Sequence, residues 1–121
     1  MDRKEVLINY ANYLKKTNNS IYICGPVSGT DDYVERFAEC EKRLRETFDG
    51  IVYNPVKICH EFFDGKAEKE EWSDLMQFVI SHLSLCTHIY LMSGWEKSHG
   101  ARIEQLWSEK LGLIEIREVV K

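Results

Sequence analysis

Residues 93–104, which read SGWEKSHGARIE, combine groups that could handle a sugar or a phosphate. Backbone N–H groups of a Gly/Ser loop that leads into a helix form a ready anion-binding site. Glu104 follows this loop, in what we predict to be the first turn of the helix. A carboxylate there can interact with the helix dipole, which is worth about 0.3–1 kcal/mol, or it can take part in a reaction. A capping box explains Glu104 less well, because the reciprocal residue, Ala101, has no side-chain acceptor.

A second Gly/Ser loop lies earlier in the chain, where residues 25–30 read GPVSGT. It is neither a GxGxxG motif nor a P-loop with its Lys, so turn chemistry and phosphate contact explain it equally well when it is taken alone. The presence of two such loops favours a ligand, provided that the fold brings them together.

The elements that would position these loops are four strands separated by helical segments. Short β-branched or aromatic runs predict strands, and apolar spacing of three or four residues predicts helices between them. The predicted strands are residues 20–24, 51–53, 88–92 and 113–116, the predicted helices are residues 33–48, 72–83 and 101–111, and a further helix lies within residues 1–18. This alternation predicts an α/β fold with a parallel sheet of about four to five strands and helices on both faces.

Ligands of such sheets bind beyond the carboxyl ends of the strands, where the strand order reverses. If the order is 2-1-3-4, the first and third strands are neighbours and the two Gly/Ser loops face each other. Glu104 then points into the crevice between them.

Composition limits the partners of the protein. The 121 residues fit one domain, and the net charge of −4 gives no electrostatic reason to bind a nucleic acid polymer. The apolar runs are far shorter than the roughly 20 residues that span a bilayer, and the N-terminus is charged where a signal peptide would be apolar. We therefore expect a cytoplasmic protein that does not enter membranes and that binds a small molecule.

The cysteines indicate neither disulfides nor a metal centre. Cys24, Cys40, Cys59 and Cys86 have no CxxC spacing, and three of them lie within apolar patterns, so we predict buried reduced thiols. We expect no metal and no cofactor, although the adjacent Cys59 and His60 keep metal binding open.

The motifs resemble those of the nucleoside 2-deoxyribosyltransferase superfamily. The resemblance covers about residues 20–118 and is carried by the runs IYICGPVSG, VYNP and CTHIYLMSGWEKSHGARIEQLWSEKLGL. It points to a branch found mainly in bacterial and phage genomes, related to the 2′-deoxynucleoside 5′-phosphate N-hydrolases. Its most specific part is the pattern GW-x-x-S-x-GA-x-x-E, formed by Gly94, Trp95, Ser98, Gly100, Ala101 and Glu104.

The resemblance implies a flavodoxin-like (Rossmann-like) sheet and assigns roles to residues. Glu104 would be the nucleophile that takes the deoxyribose from the base, with Tyr22 orienting it. Ser98 would contact a 5′-phosphate, as in the nucleotide-hydrolysing branch. A helix N-terminus would keep Glu104 ionised, as this role requires. The implied substrate-binding residues are Gly25, Pro26, Ser28, Gly29, Asn54, Gly94, Trp95, Ser98 and Gly100.

The sequence departs from that family at two acids, whose positions hold Val79 and Thr87. His88 or His99 could supply the proton that a departing base needs. The chain could therefore be an N-glycosidase or deoxyribosyltransferase-like enzyme acting on a nucleoside 5′-monophosphate, or a nucleotide-binding module of the same fold without turnover. A protein that keeps only the fold is a third reading.

We also expect a homodimer, because the superfamily shares pockets between subunits. The three tryptophans, Trp72, Trp95 and Trp107, are at apolar spacings typical of a core or a dimer interface.

Overall fold

Four parallel strands form one sheet in the order β2-β1-β3-β4. The computed structural model describes residues 2–9, 19–27, 31–62 and 72–119. The strands are β1 (Ser20–Cys24), β2 (Ile51–Tyr53), β3 (His88–Leu91) and β4 (Ile114–Arg117). The predicted α/β fold, its flavodoxin-like parallel sheet and its strand order are confirmed. The order reverses between β1 and β3, so the carboxyl ends of these two strands border the crevice where a ligand site is expected.

Helices connect the strands and cover the sheet. They are α1 (residues 3–9), α2 (Tyr33–Thr47), α3 (Pro55–Phe62), α4 (Trp72–Leu83) and α5 (His99–Leu111), with a short 3-10 helix at Trp95–Lys97 before α5. α3 is absent from the elements predicted above. Asn54 in fact caps this helix: its Oδ1 accepts hydrogen bonds from the backbone N–H groups of Val56 (3.1 Å) and Lys57 (3.2 Å). Pro55 occupies the first helical position, where a missing N–H costs nothing.

The two faces of the sheet bury different residues of β1, since side chains alternate along a strand. Ile21 and Ile23 lie in a core cluster with Phe37, Cys40 and Leu44 of α2. Tyr22 and Cys24 lie in a second cluster, which includes Leu83 of α4 and Ala101 of α5. Both clusters are built on fully buried residues of β1. Helices therefore cover both faces, as predicted.

The additional N-terminal helix is present at residues 3–9, and the rest of the predicted segment, residues 10–18, lies outside the described residues. Val6, Leu7 and Ile8 are each at least half exposed, so this part of the helix does not contribute to either core cluster. None of the helices formed by the described residues is long and apolar enough to cross a bilayer.

All four cysteines are buried as free thiols. Within the described parts of the chain, no three His, Cys, Asp or Glu side chains come together as metal ligands would.

Candidate active site

A partly open cavity of about 310 Å³ lies beside the carboxyl end of β1 and is lined by residues of helices α2, α3, α4 and α5. Its size falls in the range of small-molecule sites. Most of the wall is apolar and includes Val27, Phe37, Val56, Leu75, Met76 and Val79. The polar groups of the wall are few and include Tyr22, Cys59, His60, Ser98 and Glu104. An apolar enclosure with a few polar side chains is the usual form of a ligand pocket.

Glu104 is held at the cavity wall by two side chains of β1. The Tyr22 hydroxyl donates a hydrogen bond to Oε2 of Glu104, and the Cys24 thiol lies 3.9 Å from Oε1. Tyr22 and Cys24 point to the same face because they are two residues apart on a strand. Glu104 is only 8% exposed, and Tyr22 is fully buried. The carboxylate is therefore fixed in position by the most central strand of the sheet.

Burial changes the protonation of this cluster. It raises the pKa of Glu104 from 4.5 to about 7, against the opposing effect of hydrogen bonds from Tyr22 and Cys24. Burial, and then the charge of Glu104, raise the pKa of Tyr22 and of Cys24 well above their ordinary values, so both remain protonated donors. Burial is therefore the largest influence on the pKa of Glu104.

The position of Glu104 in the helix also differs from the prediction. α5 begins at His99, and Ser98 is its N-cap, with Oγ accepting a hydrogen bond from the Ala101 N–H at 3.3 Å. Glu104 consequently lies in the second turn. Since the helix dipole acts mainly within the first turn, it does not account for this carboxylate.

The structure brings five of the predicted site residues to the cavity: Tyr22, Gly25, Ser98, Gly100 and Glu104. Ser28 and Gly29 lie outside the described residues. Gly25 also has a packing reason to be glycine, because an added Cβ would lie 2.7 Å from Sδ and 3.0 Å from Cβ of Met92.

The other four predicted binding residues, Pro26, Asn54, Gly94 and Trp95, are not among those that line the cavity. Asn54 caps α3 and donates a hydrogen bond to Oε1 of Glu41 at 3.1 Å. Gly94 has a φ of 87°, which favours glycine. Trp95 packs against the core, with the Arg117 guanidinium 5.6 Å from its ring centre. These three residues have structural roles that explain them without a ligand.

Sequence reasoning missed the wall provided by α3. Val56, Cys59 and His60 all line the cavity, at the i, i+3, i+4 spacing that places side chains on one helical face. Recognising the Asn-Pro start of α3 would have revealed this face, because α3 follows β2 at the same edge of the sheet. Cys59 and His60, the adjacent residues that left metal binding open as a possibility, thus belong to the cavity wall.

The two positions where the resembling family carries acids lie in different places. Val79 lines the cavity. Thr87 lies at the amino end of the strands, where its Oγ1 donates to the Ser20 carbonyl at 2.9 Å. Thr87 therefore cannot substitute for an acid inside this cavity, and Val79 supplies no proton.

The two histidines that the sequence offered as proton donors, His88 and His99, do not line the cavity. His88 lies beside Thr87, with Nδ1 2.7 Å from its Oγ1, and its ring packs edge-on against Phe48. This places His88 away from the cavity. The ring of His99 stacks on Trp72 at 5.3 Å, and Trp72, rather than His99, lines the cavity.

Comparison of the sequence with models of known protein families identifies one matching family. A family model described as a domain of unknown function (DUF4406) matches residues 19–116. Comparison with curated proteins and with solved structures found no match. The matched region runs from β1 into β4 and includes both Tyr22 and Glu104. The chain therefore belongs to the DUF4406 family.

Proposed function

We propose that the protein cleaves the N-glycosidic bond of a nucleoside 5′-monophosphate or a related nucleotide, by hydrolysis or by transfer of the sugar. The observation that carries this proposal is a buried carboxylate, Glu104, fixed by Tyr22 at the wall of a largely apolar cavity. The resemblance of the surrounding motif to the nucleoside 2-deoxyribosyltransferase superfamily supports the same reaction.

Glu104 would act as the nucleophile. As the bond between C1′ and the base breaks, positive charge develops on the sugar, and a nearby carboxylate can trap it covalently, as retaining glycosidases do. Oε2 already accepts the hydrogen bond from Tyr22, whereas Oε1 has only the long contact with the Cys24 thiol. Oε1 is therefore the oxygen better placed to attack C1′, with Tyr22 fixing the orientation of the carboxylate.

A phosphate would be held mainly by backbone groups. Ser98 and Gly100, at the start of α5, line the cavity, and the N-terminus of a helix attracts anions through its N–H groups and its dipole. Among the described lining residues, neither Lys nor Arg is present, so the start of α5 is the element that favours a 5′-phosphate.

One observation favours a second candidate, a module that binds nucleotides without cleaving them. Val79 places an apolar side chain in the cavity where the resembling family has an acid that handles the base. In this alternative, the cavity and Glu104 recognise the nucleotide, but the base cannot leave.

Replacing the nucleophile should separate the two candidates. We expect Glu104→Gln to lower the release of free base by at least ~100-fold while leaving nucleotide binding intact, because the change removes the negative charge but keeps the shape. Chromatography of reactions with ribo- and deoxyribonucleoside 5′-monophosphates measures the release, and calorimetry measures binding. Glu109→Gln, at an exposed position of the same helix, is the matched control. A wild-type protein that binds a nucleotide but releases no base would support the module and contradict the enzyme.

The pH dependence should reflect the pKa of Glu104, which is about 7 in the folded protein. Because the nucleophile must be ionised, kcat/KM for a substrate whose leaving group needs no proton should rise with pH and level off above about 7. Stability should change in the opposite direction: a carboxyl with a raised pKa stabilises the fold below its unfolded value of 4.5 and loses that contribution as pH rises through 7. Rate profiles and urea unfolding between these values measure both trends. Retention of the stability trend in Glu104→Gln would assign it to another group.

A substitution at Ser98 should reverse the preference for a phosphorylated ligand. We expect a nucleoside 5′-monophosphate to bind more tightly than its nucleoside, and Ser98→Asp to reverse this order. Asp keeps a good N-cap for α5 but places a negative charge beside the phosphate. Calorimetry with matched pairs of ligands measures the effect, and Ser98→Asn is the uncharged control. Equal affinities of the wild type for both ligands would exclude a phosphate site here.

A homodimer is the remaining proposal, and exposed apolar side chains on two adjoining elements support it. Leu106 and Trp107 of α5 are 52% and 46% exposed, and Ile114 of the edge strand β4 is 58% exposed. We expect light scattering to show a dimer at micromolar concentration, and Trp107→Glu to give a monomer because it places a charge in the interface. Val34→Glu, at an exposed position of α2, should remain dimeric. A monomeric wild type would contradict the proposal.

A further inference from the structure

Cleavage of a nucleotide requires a proton for the departing base, and the cavity wall limits where that proton can come from. Glu104 is needed as an ionised nucleophile, and Tyr22 is engaged in orienting it. Among the described residues that line the cavity, Glu104 is the only Asp or Glu. Tyr33 and Cys59 also line the cavity, but a phenol and a thiol are weaker acids than an imidazolium. A nitrogen acid is therefore the strongest remaining type of proton donor.

All four histidines of the chain are described, and three of them are held elsewhere. On α4, His82 has Nδ1 3.0 Å from the Phe78 carbonyl oxygen and its ring packed against Phe78. His88 pairs with Thr87 at the amino end of the strands, and His99 is stacked on Trp72. None of these three lines the cavity of Glu104.

His60 is the histidine that does line this cavity. It lies in the last turn of α3, on the same helical face as Val56 and Cys59, which also reach the cavity. The charge of Glu104 contributes to raising the pKa of the Cys59 thiol, so this face of α3 is within electrostatic reach of the nucleophile. His60 also borders the groove between α2 and α3, which gives its ring access to solvent for proton exchange.

We propose that His60 is the general acid and base of the reaction, an inference that rests on the N-glycosidase activity proposed above. In the first step, Glu104 bonds to C1′, the C1′–N bond breaks with its electron pair remaining on the base, and the His60 imidazolium gives the base a proton. In the second step, neutral His60 takes a proton from water while the water oxygen bonds to C1′ and Glu104 departs. The sum of the steps restores both side chains and adds one water to the nucleotide.

A general acid at His60 would also explain why position 79 holds the apolar residue Val79. A donor on α3 removes the need for an acid on α4, so the Val79 wall can contact the base without a charge. Catalysis would then depend on α3, the helix whose start is fixed by Asn54 and Pro55.

The test compares two leaving groups. A natural deoxyribonucleoside 5′-monophosphate needs a proton on its base, whereas 4-nitrophenyl 2-deoxyribose 5-phosphate releases 4-nitrophenolate without one. We expect His60→Gln to lower release of the natural base by about 100-fold, the scale of lost acid catalysis, and to leave 4-nitrophenolate release close to wild type. Glu104→Gln should lose both activities, and His82→Gln, a histidine outside the cavity, should retain both.

A second variant guards against a simple loss of structure. Thermal unfolding of each variant is measured first, and His60→Ala is assayed with and without added imidazole, which should restore release of the natural base in part. Equal loss on both substrates, or a natural base released at the wild-type rate by His60→Gln, would overturn the role of His60 alone. A wild type that cleaves neither substrate would overturn the proposed function and this inference together.

Discussion

The hydrogen bond from Tyr22 to Glu104 is the interaction on which the rest of the site depends. It joins the central strand of the sheet to α5, and it lies where both groups are almost completely removed from water. A buried carboxyl with a poor partner would be costly, so the donors on β1 are part of what allows Glu104 to be there at all. The direction of these donors is fixed by register: Tyr22 pairs with Tyr53 on one side and Ile89 on the other. A slip of one residue would turn Tyr22 to the α2 face and leave Glu104 without its donor.

The burial of Glu104 has a cost that a purely structural role does not explain. A rise in pKa from 4.5 to about 7 corresponds to roughly 3 kcal/mol of stability lost when the carboxyl is ionised. Hydrogen bonds from Tyr22 and Cys24 reduce this cost but do not remove it, because desolvation is the larger effect. A carboxyl poised near neutral pH in a cavity is characteristic of sites that carry out chemistry. The proposal of a nucleophile follows from this energetic imbalance as much as from the motif around it.

The sequence predicted the sheet well and the walls of the site less well, for physical reasons. Short β-branched runs such as residues 20–24 identify buried parallel strands directly, and their alternation with helices limits the possible topologies. The pairing of Tyr22 with Glu104, 82 residues apart in the chain, came only from the family resemblance, because no periodicity connects two separate elements. Glu104 lies in the second turn and not in the predicted first turn, because Ser98 acts as the cap and α5 begins two residues earlier than predicted.

Helix α3, which is absent from the predicted elements, shows a similar limit of prediction from sequence. Its eight residues are too short for a clear helical period, and only the Asn-Pro start marks it. Without α3, His60 had no place in the predicted site. Val79 and Thr87, eight residues apart, looked equivalent in sequence, yet the chain passes from the cavity wall to the opposite edge of the sheet between them. A parallel connection must return the chain to the amino edge before the next strand begins, and this return separates the two positions.

The elements around the cavity also have different roles. β1 and α5 together hold the carboxyl that would react with the sugar, whereas α3 and α4 form the walls that the base would contact. Leu75, Met76 and Val79 of the α4 wall have no side-chain hydrogen-bonding groups, so this part of the wall would pack against the base without selecting its polar edge. Cys59 and His60 of α3 reach the cavity and would supply polar contacts to the base. A base bound in this way must present a protonatable nitrogen toward α3, and this orientation, more than the size of the cavity, would decide which nucleotides can be cleaved.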